Sequence, residues 1–355
     1  MGNIIKGLKN KIEFEKRIYN NLQIFIKICL ISIFIILDEY YICFIREIKL
    51  KNMNNNMNII NIVPKIIDSR KIKNNSNHIK VALCTMGKKE NLYIKEFVDH
   101  YIKLGIDHIF IYDDNEPNTE KMSGIINDKY KNIVTIFENI QDKIKNQPMA
   151  FTTCYNNNIY KFDWFIMLDM DEYLYIINDT LKNYLSNHIF DKCDFIKINW
   201  VFPKINNLVY YDPRPLFERF KGPYIKDYFV KSIIRGNITE LKYWVHSPIF
   251  SPKRNITCNN EGRQIYYDNL NFESLPINTE KAFIIHYKFK STEEFINKLK
   301  RGYGNWFGNK IGNILKFKID EYFQNDITLE QINYLEKELN VNLSNYKLKL
   351  NKGIK

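Results

Sequence analysis

No Cys-x-x-Cys pair occurs in the 355 residues, and the six cysteines (Cys29, Cys43, Cys84, Cys154, Cys193, Cys258) are scattered. That spacing argues against a zinc site, and the low density argues against a disulfide scaffold. Cys84 and Cys193 sit in apolar runs and read as buried thiols. No Gly-x-Gly-x-x-Gly opens a helix, which argues against a dinucleotide cofactor. There is no compact arginine-rich stripe, no nucleic-acid motif and no internal repeat, so nucleic acid is not an expected partner. Nor does any uncharged apolar run reach the ~20 residues of a spanning helix. The strongest run, Leu22 to Leu37, contains Lys27 and is closed by Asp38 and Glu39.

What is present is a chain with a core. Hydrophobic residues make up 45% and aromatic residues 15%, and the length is enough for one large α/β domain with additions or two small ones. The net charge of +12 arises largely from stretches rich in Lys, Asn and Ile, such as Lys51 to Asn61. Such bias gives a basic chain without a nucleic-acid partner; the charge suits anionic membrane surfaces or anionic nucleotide sugars. Residues 1–50 read as an N-terminal helical segment. Its apolar stretch over 22–45 is either a single membrane anchor, with Lys6 to Arg17 on the cytoplasmic side, or an amphipathic or buried helix. Membrane-associated and cytoplasmic locations both stay open. Residues 51–78, rich in Asn and Lys, read as a linker.

From residue 79 the pattern becomes regular. Strands are expected over Lys80 to Thr85, Ile106 to Tyr112, Ile133 to Phe137 and Phe162 to Leu168. Helices are expected over Glu90 to Leu104, Glu120 to Tyr130 and Pro148 to Tyr160. This alternation predicts an α/β fold, a mostly parallel central sheet with covering helices. A further strand is expected at Asp194 to Phe202, with antiparallel additions at Tyr228 to Ile234 and Lys242 to His246. Asp212 to Lys226 reads as a loop. Ala282 to Tyr287 reads as an apolar strand, and Thr292 to Lys300 and Glu330 to Leu339 as helices.

The informative stretch is Phe162 to Leu174. The run Trp164 to Leu168 suits a strand buried on both faces, and Asp169, Asp171 and Glu172 follow at once. In open α/β sheets ligands bind beyond the carboxyl ends of the strands. Asp169 and Asp171 point to one side if the chain stays extended, and two carboxylates there make an oxygen site for Mn²⁺ or Mg²⁺. A solvated turn or helix start is the plainer account of the same acids.

Four blocks in order carry a resemblance: Cys84 to Tyr112 (CTMGKKENLYIKEFVDHYIKLGIDHIFIY), Asp163 to Leu174 (DWFIMLDMDEYL), Asn199 to Pro203 (NWVFP) and Ala282 to Gly302 (AFIIHYKFKSTEEFINKLKRG). Together they resemble glycosyltransferase family 92. They differ from its pattern at Tyr173, where Phe is usual, at Pro203, where Gly is common, and in the Gly-Lys-Lys-Glu-Asn opening loop. The resemblance implies a GT-A (Rossmann-like) domain over 79–305, with a C-terminal helical extension over 306–355. It implies inverting transfer of a hexose, galactose favoured, from a UDP-sugar donor to a hydroxyl of a glycan or glycoconjugate acceptor. It makes Asp169, Asp171 and His286 the metal ligands, with Glu172 bracing them. It places Thr85, Met86, Glu90, Asp113, Asp114, Lys288 and Arg301 at the nucleotide sugar, with Lys298 either beside the diphosphate or on a solvated helix face. The catalytic base falls to Asp212 or Glu218. Trp200 and Trp244 are sugar-stacking or core residues, and His100 and Tyr101 structural. A catalytically inactive membrane-surface binding module and a nucleotidyltransferase are the competing classes.

Overall fold

The computed structural model describes residues 59–60, 64–68, 79–126, 128–239, 241–244, 246, 248–250, 256–265, 276–301, 318–323 and 326–351. The apolar stretch at 22–45 lies outside the described residues. Among those described, no helix is long and apolar enough to cross a membrane.

In chain order the strands are β1 (Ile59–Ile60), β2 (Val81–Gly87), β3 (His108–Asp113), β4 (Val134–Phe137), β5 (Trp164–Met167), β6 (Glu172–Ile176), β7 (Phe195–Pro203), β8 (Tyr224–Arg235), β9 (Lys242–Tyr243), β10 (Pro248–Phe250), β11 (Thr257–Cys258) and β12 (Ala282–His286). The helices are α1 (Ile94–Leu104), α2 (Gln147–Asn158), α3 (Leu181–Leu185), α4 (Leu216–Arg219), α5 (Thr292–Arg301), α6 (Leu329–Leu339) and α7 (Ser344–Asn351).

The main sheet runs β4-β3-β2-β5-β8-β7-β12-β6, with β1 on β8 and β11 on β7. Strands β4, β3, β2 and β5 are mutually parallel. Strand β8 runs against both β5 and β7, and β6 runs against β12. This is the mostly parallel, GT-A-like α/β sheet that the sequence leads one to expect. Its two faces follow from the period-two alternation of strand side chains. On β2, Val81 and Leu83 join the core beneath α1, while Ala82 and Cys84 join the core beneath α2. Helix α1 stops at Gly105, whose φ of 107° lets its N–H turn back to the Tyr101 and Ile102 carbonyls. The 292–343 region has its own cluster, in which Phe295 and Ile296 pack with Tyr322, Ile332 and Leu335. Helix α6 starts from a capping box between Thr328 and Gln331.

Four expectations need correction. The helix expected over Glu120 to Tyr130 is only two 3-10 turns, Met122–Gly124 and Asp128–Tyr130. The first of these is pulled back to β3 because the Met122 N–H donates to Asp113 Oδ2 at 2.8 Å. Strand β8, expected over Tyr228 to Ile234 as an antiparallel addition, is antiparallel but longer, Tyr224–Arg235, and lies inside the main sheet between β5 and β7. The acids after β5 are followed directly by a strand, β6, paired in register with β12. Finally, the buried cysteines are paired: Cys84 with Cys154, tying β2 to α2, and Cys193 with Cys258, tying the start of β7 to β11. Each pair joins residues at least 65 positions apart, so no local spacing announces it.

Helix α1 also fixes β6. The Tyr101 hydroxyl donates to the Glu172 carbonyl at 2.7 Å and accepts from the Leu174 N–H at 3.1 Å. His100 Nε2 sits 2.9 Å from the Leu174 carbonyl, within a cage of Tyr101, Tyr173 and Tyr175. Burial pushes the His100 imidazole from its ordinary 6.5 down to about 4. The unfolded chain therefore takes up the proton first on acidification. The stability His100 contributes is full above pH 6.5 and is lost as pH falls toward 4, about 3 kcal/mol at the limit. Urea unfolding between pH 7 and 4 should show this loss, and His100→Gln should flatten the slope over that window.

Candidate active site

The carboxyl ends of β2, β3 and β5 meet at one rim. Their registers align Cys84 with Met167 and Gly87 with Asp113. The turn Asp169-Met170-Asp171 leaves β5 there. Gly87 packs directly against it: a Cβ on Gly87 would lie 2.1 Å from the Met170 sulfur, so a larger residue would make the Met170 side chain shift. Strand β12 runs parallel to β7 and antiparallel to β6, which sets His286 opposite Glu172. The imidazole thereby reaches the turn: His286 Nε2 lies 3.4 Å from Asp171 Oδ1. The Tyr287 N–H donates to the Asp171 carbonyl at 2.8 Å and fixes this corner.

Asp171 is nine-tenths buried. Burial by itself would raise its carboxyl, but Lys298, 2.6 Å from Oδ2, and then His286 outweigh it and hold the group well below the usual range. His286 is held below 6.5 by burial, which outweighs the opposing pull of Asp171. The site thus presents an ionised carboxylate beside a neutral imidazole. His286 Nδ1 is buried and without a hydrogen-bond partner, and its ring packs edge-on against Trp200 at 4.4 Å.

Asp169 is more open, with 27% of its side chain exposed. Its Oδ1 accepts from Lys231 at 3.0 Å and from Gln147 at the start of α2. Its own N–H donates to Glu172 Oε2 at 2.9 Å. Glu172 is fully buried, and burial followed by the Asp169 charge pushes its carboxyl well above the usual range. Lys231 lies 3.7 Å from Glu172 Oε1, so one lysine underlies both acids. Continuing the β5–β8 register puts Lys231 opposite Leu168, which is why a central strand carries a charge here. Lys231 and Gln147 are the site residues that sequence reasoning missed. In a lysine-rich chain one more lysine carries no signal, least of all on a strand that also holds Lys226, Asp227 and Ser232.

A second group of charges closes the rim from the opening loop. Glu90 is paired with Arg301 at 2.6 Å and Lys290 at 3.2 Å. Burial would raise its carboxyl, but Lys290 and Arg301 together lower it. Lys290 also stands 3.3 Å over the Tyr93 ring. Thr85 is fully buried with an unpartnered Oγ1, and Met86 lies beside it on β2. Asp113 is a turn anchor, accepting from the Asn115 and Met122 N–H groups. Burial raises the half-buried Asp114 carboxyl. Lys288 is joined to Glu321. Asp212 is closed on Arg214, and Glu218 is exposed on α4. Trp200 is buried with an unpartnered indole N–H.

As a donor set, the Asp171 carboxylate with neutral His286 suits a divalent cation such as Mn²⁺ or Mg²⁺, and Asp169 supplies a further oxygen nearby. Among the described residues, no three His, Cys, Asp or Glu side chains are grouped so as to hold a metal ion as they stand. Each aspartate leans instead on a lysine ammonium.

The family model of glycosyltransferase family 92 matches residues 77–340. The chain belongs to glycosyltransferase family 92. The matched span contains every residue of the rim described above. Family 92 proteins of Oryza sativa subsp. japonica and Ricinus communis are each 23% identical over 109 residues, 30% and 29% of this chain. The aligned stretch is only 18% and 19% of those relatives' own length. Among solved structures, S. aureus TarS is similar at 12% identity and a TM-score of 0.31, over 74% of this chain and 43% of that one. A CMP:2-keto-3-deoxy-manno-octonic acid synthetase complexed with CTP is similar at 11% identity and a TM-score of 0.25, over 45% of this chain and 74% of that one.

Proposed function

We propose that this family 92 chain transfers a hexose, galactose by preference, from a UDP-sugar to a glycan or glycoconjugate hydroxyl, with inversion. The observation that supports the reading best is the Asp171–His286 pair at 3.4 Å, brought together from two strands at the ligand-binding rim of a family 92 domain. Asp171 and His286, with Asp169, would hold Mn²⁺ or Mg²⁺. A bound cation supplies charge to the departing diphosphate without proton transfer. The chain's own residues do the rest. Thr85, Met86, Glu90, Asp113 and Asp114 form the rim where the nucleoside rests, and Lys288 and Arg301 stand near the diphosphate. Asp212 or Glu218 takes the acceptor proton, as inverting transfer requires. Asp212 is held down to about 2 by Arg214, so it would have to leave that partner to serve as an effective base.

UDP release from UDP-galactose, UDP-glucose and UDP-N-acetylglucosamine, with and without excess chelator, tests the reading. We expect release with one donor and its loss in chelator. Full activity in chelator would remove the metal from the proposal. Consumption of NTP with release of pyrophosphate would replace it by nucleotidyl transfer. No nucleotide affinity together with salt-sensitive binding to anionic vesicles would favour a membrane-surface binding module.

A further inference from the structure

The two lysines that meet the aspartates differ in freedom. Lys231 stands on the central strand β8 with 1% of its side chain exposed. Lys298 stands in the last turn of α5 with 20% exposed. Its Nζ lies 2.6 Å from Asp171 Oδ2 and 3.2 Å from the Lys288 carbonyl oxygen. Lys298 thus holds one oxygen of the same carboxylate whose other oxygen faces His286. In this arrangement each aspartate of the turn already has an ammonium partner, so the rim is not a strong trap for a bare dication. A cation arriving alone at Asp171 meets the like charge of Lys298 at close range, where repulsion is least screened. A diphosphate arriving with it changes the balance, because it offers the ammonium another anion.

We propose that Lys298 is an exchangeable placeholder. It neutralises Asp171 while the donor is absent and transfers its charge to the diphosphate when cation and nucleotide enter together. The two ligands then bind cooperatively, and the cation binds weakly by itself. Lys231, locked in the sheet, does not exchange and keeps Asp169 oriented throughout. The proposal rests on the donor-site reading above.

Mn²⁺ binding to the full chain, followed by electron paramagnetic resonance with and without saturating UDP, tests it. For the wild type, UDP should tighten Mn²⁺ binding by about tenfold or more, a usual size for coupling between sites. Lys298→Gln should bind Mn²⁺ alone about tenfold more tightly than the wild type, and UDP should then tighten that binding by less than it does for the wild type. Lys298→Arg, which keeps the charge, should retain the coupling. Mn²⁺ binding by Lys298→Gln no tighter than wild type overturns the proposal, as does wild-type Mn²⁺ affinity that UDP leaves unchanged. The second comparison needs no variant and decides even if Lys298→Gln does not fold. A wild type that binds neither Mn²⁺ nor UDP overturns the donor-site reading along with it.

Discussion

Replacing Asp171 by asparagine should lower UDP release on the order of 10²–10³-fold, the size of effect seen when one preorganised electrostatic group is removed from an active site. The substitution keeps the shape of the side chain and leaves intact the Tyr287 N–H bond to the residue 171 carbonyl. What it removes is the negative charge facing both Lys298 and His286. Lys298 retains a path to solvent and the Lys288 carbonyl, so stability should fall by only about 1–2 kcal/mol. The contrast between a large kinetic effect and a small thermal one identifies a chemical role. Steady-state UDP release and a thermal melt on the same preparation measure both. Activity within about threefold of wild type would mean that Asp171 stabilises nothing in the transition state, and the proposed centre would have to be abandoned.

The strands that reach the rim could be read from sequence because their physics is local. The apolar runs ending at Leu83, Ile111 and Leu168 bury both faces, and the acids after the last run stand out by contrast. His286 was legible in the same way, as the polar end of Ala282 to Ile285. What was hidden depends on pairing between distant segments. Strand β8 contains Lys226, Asp227, Lys231 and Ser232, and polar residues on a strand ordinarily mark an edge. Here Lys231 is polar because it meets Asp169 across the sheet, so a functional contact disguised a central strand. Strand β6 was hidden because Asp169, Asp171 and Glu172 drew attention as ligands, although Glu172 already belongs to a strand. The disulfides were hidden because Cys84 and Cys193 find partners on another helix and another strand. Tertiary partnership leaves no periodic trace in a single sequence, and the partners of Asp169 are tertiary partners of this kind.

The largest loss of stability should come from a site that touches no proposed substrate. Arg219, at the end of α4, has 1% of its side chain exposed and forms a two-pronged pair with Glu294 of α5, at 2.7 and 3.2 Å. Glu294 also accepts from the Tyr93 hydroxyl and, at 2.9 Å, from the Ser291 N–H. The Arg219 carbonyl accepts from Asn206 at 2.8 Å. This one pair therefore fastens the segment bearing Asp212 and Glu218 to α5 and to the residue that precedes α1. Arg219→Met should cost about 3 kcal/mol, because it leaves a buried acid without its partner, and the loss is limited because burial already pushes the Glu294 carboxyl up to about 7. Arg219→Lys should cost less but should not restore the wild type, since an ammonium cannot match both carboxylate oxygens at once. The double variant Arg219→Met with Glu294→Met should be more stable than Arg219→Met alone, because an apolar pair of similar volume leaves no charge stranded. Urea unfolding followed by circular dichroism on the wild type, Arg219→Met, Glu294→Met and the double variant closes this cycle. If Arg219→Met loses less than about 1 kcal/mol, the pair behaves as an exposed one, and the segment carrying Asp212 and Glu218 must be held in place by something else.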